Sequence, residues 1–185
     1  AIAGAEFQSE ITASGVLGAT NYDAAKNLFH AGEQPFWITG PWELGGAADW
    51  EVAWSVAKIP TIDGGTPQPF IGVQAFFLSS FSENKLVAQS FLFDFIASQE
   101  GQNSLFAADG RPPVHSAIID QVAGNAAISA FGASASDGVP IPNIPEMGSG
   151  WGALGDNLQL LRNGEVDATA AMQTAAESVR AALEG

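Results

Sequence analysis

Residues 138–145, Gly138-Val139-Pro140-Ile141-Pro142-Asn143-Ile144-Pro145, place three prolines within a short span. Each proline lacks an amide hydrogen and fixes φ, so the segment is predicted to run as an extended connection outside any regular structure. Ahead of it, helix-like and strand-like stretches alternate; behind it, the pattern is helical. That mixture predicts an α/β or α+β body.

The Ala-rich residues 1–16 carry Ile2, Phe7 and Ile11 at near-helical spacing and predict a first helix. Asn21-Tyr22-Asp23 offers the cap of a second over residues 24–30, ending at Gly32. Residues 34–39, 50–59 and 70–80 read as strands, with Gly72 marking flexibility or close approach in the third. Between the first two lies a loop over 40–49. Ser82 caps a long amphipathic helix over 84–98, and a further helix spans 99–108 until Gly110-Arg111-Pro112-Pro113 stops it. Short helices follow over 116–122 and 125–133, and two more over 150–162 and 167–183. The last shows Ala168, Met172, Ala175, Val179 and Leu183 at the helical period, with Asp167 as cap.

Of 185 residues, 46% are hydrophobic and 14% charged, which excludes a disordered chain. A net charge of −14 argues against nucleic acid and anionic membrane surfaces, since both demand basic patches. There is no cysteine, and His30 and His115 are the two histidines, so neither a disulfide, nor a zinc site, nor a cofactor is predicted. The longest apolar run, 70–81, is broken by Gly72, Gln74, Ser79 and Ser80 and falls short of the ~18 residues of a membrane span. The opening Ala1-Ile2-Ala3-Gly4-Ala5 reads like the inside of a helix, so a mature chain or a fragment is expected.

Two tryptophans stand out. Trp42 follows Gly40-Pro41 at the end of a strand-like run; proline fixes the backbone, glycine allows a tight one, and the indole is held at an element's end. Such an aromatic face either plugs a core or grips a flat, weakly polar ligand such as a sugar ring. Trp151 is read as a second indole at a loop-to-helix junction. Trp37, Trp50 and Trp54 fall in strand-like runs and read as core or sheet-face residues. Gly150-Trp151-Gly152-Ala153-Leu154-Gly155 fits the G-x-G-x-x-G pattern, but a proline-rich loop stands where the nucleotide reading needs a strand. Its glycines are taken to let a helix start close to another surface. Among 20 carboxylates, Glu43, Asp49, Glu51, Asp109 and Glu146 include pairs that could serve a glycosidase, though spacing in sequence cannot show the needed separation. No nucleophile elbow and no P-loop appear, and His115 is read as ordering a loop.

The order of these features resembles the C-terminal half of an extracellular solute-binding protein of ABC transporters, of the maltose/maltodextrin-binding kind. The resemblance rests on Ala24-Ala25-Lys26-Asn27-Leu28-Phe29-His30, the strand into Gly40-Pro41-Trp42, Val56-Ala57-Lys58-Ile59-Pro60, Pro69-Phe70-Ile71-Gly72-Val73 and Pro142-Asn143-Ile144-Pro145-Glu146-Met147. It implies an α/β, periplasmic-binding-protein-like architecture of two lobes, incomplete in this chain, that closes on a sugar by hinge bending. Residues 1–69 and 139–185 would belong to the C-terminal lobe, and 70–138 to the hinge-crossing strand and N-terminal-lobe helices. Trp42 and Trp151 would stack on sugar rings, with Glu43 and Glu146 assigned to substrate binding and Gly72 to the hinge. Gly152 and Gly155 stand where the maltose branch often has an aromatic and an arginine, which implies a roomier pocket.

The resemblance further implies a non-enzymatic, extracellular or periplasmic component, membrane-anchored through an absent N-terminus. Its partners would be an oligosaccharide and the membrane permease of an ABC transporter, with no nucleic acid and no metal. A fragment of such a protein would expose apolar faces and self-associate. The alternative from another class is a glycoside-processing enzyme or its carbohydrate module.

Overall fold

The computed structural model describes residues 1–17, 19, 21–62 and 64–184. In chain order these form α1 (Ile2–Ala13), α2 (Tyr22–His30), a 3₁₀ helix (Pro41–Asp49), β1 (Phe70–Ile71), α3 (Lys85–Ser90), a π-helical continuation (Phe91–Ile96), α4 (Gln99–Asp109), α5 (Ser116–Val122), α6 (Ala126–Ala135), β2 (Val139–Pro140), α7 (Met147–Arg162) and α8 (Ala168–Glu184). They make two compact units, one of residues 1–37 with 142–185 and one of residues 38–141. No helix among the described residues is long and apolar enough to cross a membrane.

In the first unit, α1, α7 and α8 pack around Ala5, Leu161, Ala168, Ala171 and Met172, with Leu158 and Val166 against them. Alanines dominate this core, and their small side chains let the helix backbones approach. The α8 stripe is buried at Ala168, Met172 and Ala175 as the period predicts, and gives out at Leu183, which is exposed. Caps form where the sequence placed them: the Asn21 side chain accepts from the Ala24 N–H at 2.9 Å and the Asp167 side chain from the Ala170 N–H at 2.8 Å. On α2, Tyr22 and Phe29 are two helical turns apart and both meet Trp37, with ring centroids at 5.4 and 5.7 Å. His30 joins them edge-on at 5.8 Å. Trp37 is therefore a packing residue, held by an aromatic group and not by a sheet.

Among the described residues the three expected strands are largely absent. Residues 34–39 and 50–59 join no ladder, and 70–80 contributes Phe70–Ile71 alone, paired in parallel with Val139–Pro140. The reason is the lack of pairing partners among the described residues: an apolar, β-prone segment becomes a strand only when another backbone answers its amides and carbonyls. The one partner available lies in the proline segment, which was expected to carry no regular structure. Pairing is tolerated there because the bonds come from the residues on either side of Pro140. The Val139 N–H donates to the Pro69 carbonyl at 2.9 Å and the Ile141 N–H to the Ile71 carbonyl at 3.1 Å. The missing proline N–H falls at the position that faces away from the ladder.

The predicted helix over 84–98 is α3 and its π-helical continuation, closed by an Ala97 N–H to Leu92 carbonyl bond at 2.9 Å. Ser82 accepts from the Asn84 N–H at 3.2 Å, just ahead of the first turn. Phe91 and Phe95 stack at 5.5 Å between centroids. The chain then turns sharply into α4, whose N-terminus is capped by the Ser98 hydroxyl accepting from the Gly101 N–H at 3.1 Å. At the far end Gly110, with φ 68°, closes α4 as the Gly-Arg-Pro-Pro run suggested. α5 and α6 bury Ile118 and Ile128. Phe76, Phe77, Phe81, Leu86, Val87, Phe91 and Phe93 are exposed, Phe77 at 90% and Phe81 at 94%.

Candidate functional site

Trp42 is not at the tip of a strand but at the second position of the 3₁₀ helix Pro41–Asp49. Proline suits that start, because its fixed φ is helical and its missing N–H would have no partner there. The Glu43 N–H closes the first turn on the Gly40 carbonyl at 3.3 Å. This helix is seated on the C-terminal end of α4 with almost no side chain between the backbones. A Cβ at Gly45 would stand 3.0 Å from the Asp109 carbonyl oxygen, and one at Gly110 would stand 3.3 Å from Leu44 Cβ. Arg111 forms an ion pair with Asp109 beside this contact. The platform under Trp42 is thus rigid, while its indole remains 52% exposed. Glu43, its neighbour in sequence, is half-buried.

Trp151 lies within α7, not at its start. Bonds from the Met147 N–H to the Ile144 carbonyl (3.2 Å) and from the Gly148 N–H to the Pro145 carbonyl (3.3 Å) begin the coil before Gly150. Glu146 stands at the N-cap with no side-chain capping bond, its carbonyl accepting from Ser149 and Gly150 at 3.0 and 3.3 Å. Trp151 is 51% exposed. Around it, a Cβ at Gly148, Gly150, Gly152 or Gly155 would meet nothing within 4 Å. The reading that these glycines allow close packing is therefore corrected: they leave open space beside the indole. Gly148, Gly152 and Gly155 are spaced to share one helix face. The G-x-G-x-x-G match falls inside a helix, so its amides are spent on helical bonds and form no phosphate cradle.

Trp42 and Glu43 lie in the 38–141 unit, and Glu146 and Trp151 in the other. Gly72 lies one residue beyond β1, where a Cβ would stand 3.3 Å from Ile141 Cδ1. Trp50 and Trp54 form an edge-to-face pair at 5.1 Å, which makes them packing partners of one another. Among the described residues no group of three or more His, Cys, Asp or Glu is arranged to hold a metal ion. What the arrangement offers chemically is two half-exposed indoles, each on a helical segment and each with a carboxylate close in sequence.

Gly40 was read as permitting a tight turn ahead of the indole, and the structure corrects that. Its backbone, at φ −132° and ψ 179°, is extended and open to any residue, so no tight turn explains it. It is buried, and the ring of Trp42 is what covers it. The only signal in the sequence is its place two residues before the indole.

A family model described as bacterial extracellular solute-binding protein matches residues 3–132. The chain is 25% identical over 181 residues to a galactooligosaccharide-binding protein of Bacillus subtilis (strain 168), covering 96% of this chain and 43% of that one. It is 28% identical over 140 residues to a maltotriose-binding protein of Pyrococcus abyssi, covering 72% and 31%. It is 26% identical over 178 residues to a maltooligosaccharide ABC transporter solute-binding lipoprotein of Streptococcus pneumoniae, covering 90% and 41%. The chain thus spans less than half the length of the curated relatives it matches.

Proposed function

The chain belongs to the bacterial extracellular solute-binding proteins, and from that membership we propose that it contributes to the carbohydrate cleft of an ABC importer's receptor. The observation that carries this reading is the pair of half-exposed indoles, Trp42 and Trp151, each fixed on helical backbone. A pyranose ring presents C–H groups on its faces and hydroxyls at its rim, so it is recognised by aromatic faces and nearby carboxylates together. Glu43 and Glu146 are the carboxylates assigned to that rim. The names of the relatives favour oligosaccharides, and we take a maltooligosaccharide as the ligand. The open glycine face beside Trp151 supports a roomy subsite.

In this reading the protein works outside the cell, attached to the membrane like the pneumococcal relative named as a lipoprotein. It delivers sugar to a membrane permease without altering it. A periplasmic-binding-protein-like fold would close its lobes about a hinge at Gly72, with residues 1–69 and 139–185 in one lobe and 70–138 crossing to the other. Titration of the protein with maltotriose, with a galactooligosaccharide and with ribose, followed by tryptophan fluorescence, tests the ligand class. Maltotriose is expected to shift the emission saturably and ribose to leave it unchanged. A response to none of the three sugars sinks the carbohydrate reading.

We also propose that the 185-residue chain on its own associates with a second copy through the apolar segment 76–93. Five of its exposed side chains are phenylalanines, each offering up to ~200 Å² of contact, which approaches the ~800 Å² per partner of a standard interface. Sedimentation should show concentration-dependent association that Phe77→Ser with Phe81→Ser suppresses. A monomer at every concentration counts against it.

A further inference from the structure

We propose that Gly40 is a positioning residue for the Trp42 platform: the absence of a side chain at position 40 sets the plane of the indole and hence which of its faces meets a ligand. The inference rests on the proposed role of Trp42 as a stacking surface and goes beyond it by naming what aims that surface.

The geometry is specific. A Cβ at Gly40 would stand 2.1 Å from Trp42 Cζ3, 2.3 Å from Cη2 and 2.6 Å from Cε3. Approach along the ring plane would leave Cζ3 far nearer than its two neighbours. Three similar distances instead describe approach from above the six-membered ring, so one face of the indole lies against the Gly40 α-carbon. The same contact buries Gly40 while the indole keeps 52% of its surface exposed. One face of Trp42 is therefore spent on the Gly40 backbone. An exposed tryptophan normally samples several χ1 and χ2 wells. Here the glycine contact selects one, which spares a ligand part of the entropy of ordering the platform.

The backbone at position 40 has φ −132° and ψ 179°, which alanine adopts without strain. The clash is with the far end of the indole and not with backbone. A methyl group at 40 is thus relieved by rotating the Trp42 side chain, and the fold is left intact. This is the behaviour of a residue that aims another, and it separates Gly40 from glycines whose substitution breaks packing.

The experiment compares the parent with Gly40→Ala and Trp42→Ala, by NMR of the Gly40 α-protons and by maltotriose affinity. In the parent, the Gly40 α-protons should show a large upfield ring-current shift that vanishes in Trp42→Ala. Gly40→Ala should melt within a few degrees of the parent, move the Trp42 indole N–H resonance, and bind maltotriose about tenfold more weakly. An unshifted Gly40 α-proton pair in the parent overturns the proposal outright. If Trp42→Ala weakens binding and Gly40→Ala does not, the positioning role is overturned while the platform stands. If Trp42→Ala binds as the parent does, the platform reading itself is the one that fails, and the ring-current result still decides whether Gly40 fixes the ring.

Discussion

Gly101→Ala should lower the melting midpoint by roughly 10 °C, corresponding to about 3 kcal/mol for overpacking that has no cheap relief. Gly101 is buried in the first turn of α4, directly beneath the π-helical segment. A Cβ there would stand 2.1 Å from the Phe95 carbonyl oxygen, 2.9 Å from its carbon and 3.0 Å from Ile96 Cα. All three are backbone atoms, so no rotamer change makes room. The corner is further tied by the Ser98 hydroxyl donating to the Phe95 carbonyl at 2.6 Å and the Gln102 amide donating to the Ile96 carbonyl at 2.9 Å. Opening it to admit a methyl group breaks these bonds or shifts α4. Gly132→Ala in α6 is the matched control. No atom lies within 4 Å of its Cβ position, so the better helix former should stabilise by ~0.5–1 kcal/mol. Calorimetry of both variants checks the pair; a Gly101→Ala protein melting with the parent would refute the packing argument.

Trp42→Ala and Trp151→Ala should each weaken maltotriose binding by about thirtyfold. Covering the exposed half of an indole removes on the order of 80 Å² from water, worth about 2 kcal/mol at ~25 cal/mol per Å². Trp42→Phe and Trp151→Phe should retain most of the affinity, because a smaller aromatic still offers a face. Titration calorimetry reads both effects directly. Equal affinities for the alanine variants and the parent would show the indoles to be structural. Trp37→Ala serves as a contrast, since its ring is committed to Tyr22, Phe29 and His30; it should cost stability and spare ligand affinity.

Local rules were readable in this chain, and distant ones were not. Asn21, Asp167 and Gly110 could be placed because a cap answers amides or carbonyls only a few residues away. The period of α8 was readable for the same reason. The strands failed because a strand is defined by its partner, and the sequence of 34–39 or 50–59 does not say whether one is present. Pro140 shows the converse: a residue that argues against a strand is accepted when its bare nitrogen faces away from the ladder. The π-helical run Phe91–Ile96 was hidden by its apolar residues, which fit an ordinary helix equally well.

At the site, Trp42 was readable as an indole held by Gly-Pro, yet the purpose of the glycine was misread. Its backbone conformation is ordinary, and the constraint comes from a ring two residues away. Trp151 was placed at a helix start because the helix was read from residue 150, after the proline-rich run. The turns that follow Ile144 and Pro145 start the coil earlier and carry the indole into the helix.

The parallel ladder between β1 and β2 has a consequence for the order in which the 38–141 unit assembles. It joins Phe70 to Val139 and Ile71 to Pro140, with every helix from α3 to α6 in the chain between them. A few hydrogen bonds of ~1 kcal/mol each do not offset the entropy of closing so long a loop and fixing its ends. The ladder therefore cannot seed folding. It forms once the helices between its strands have collapsed and brought residues 70 and 139 together, as the final closure of the unit and the first contact to open when it unfolds.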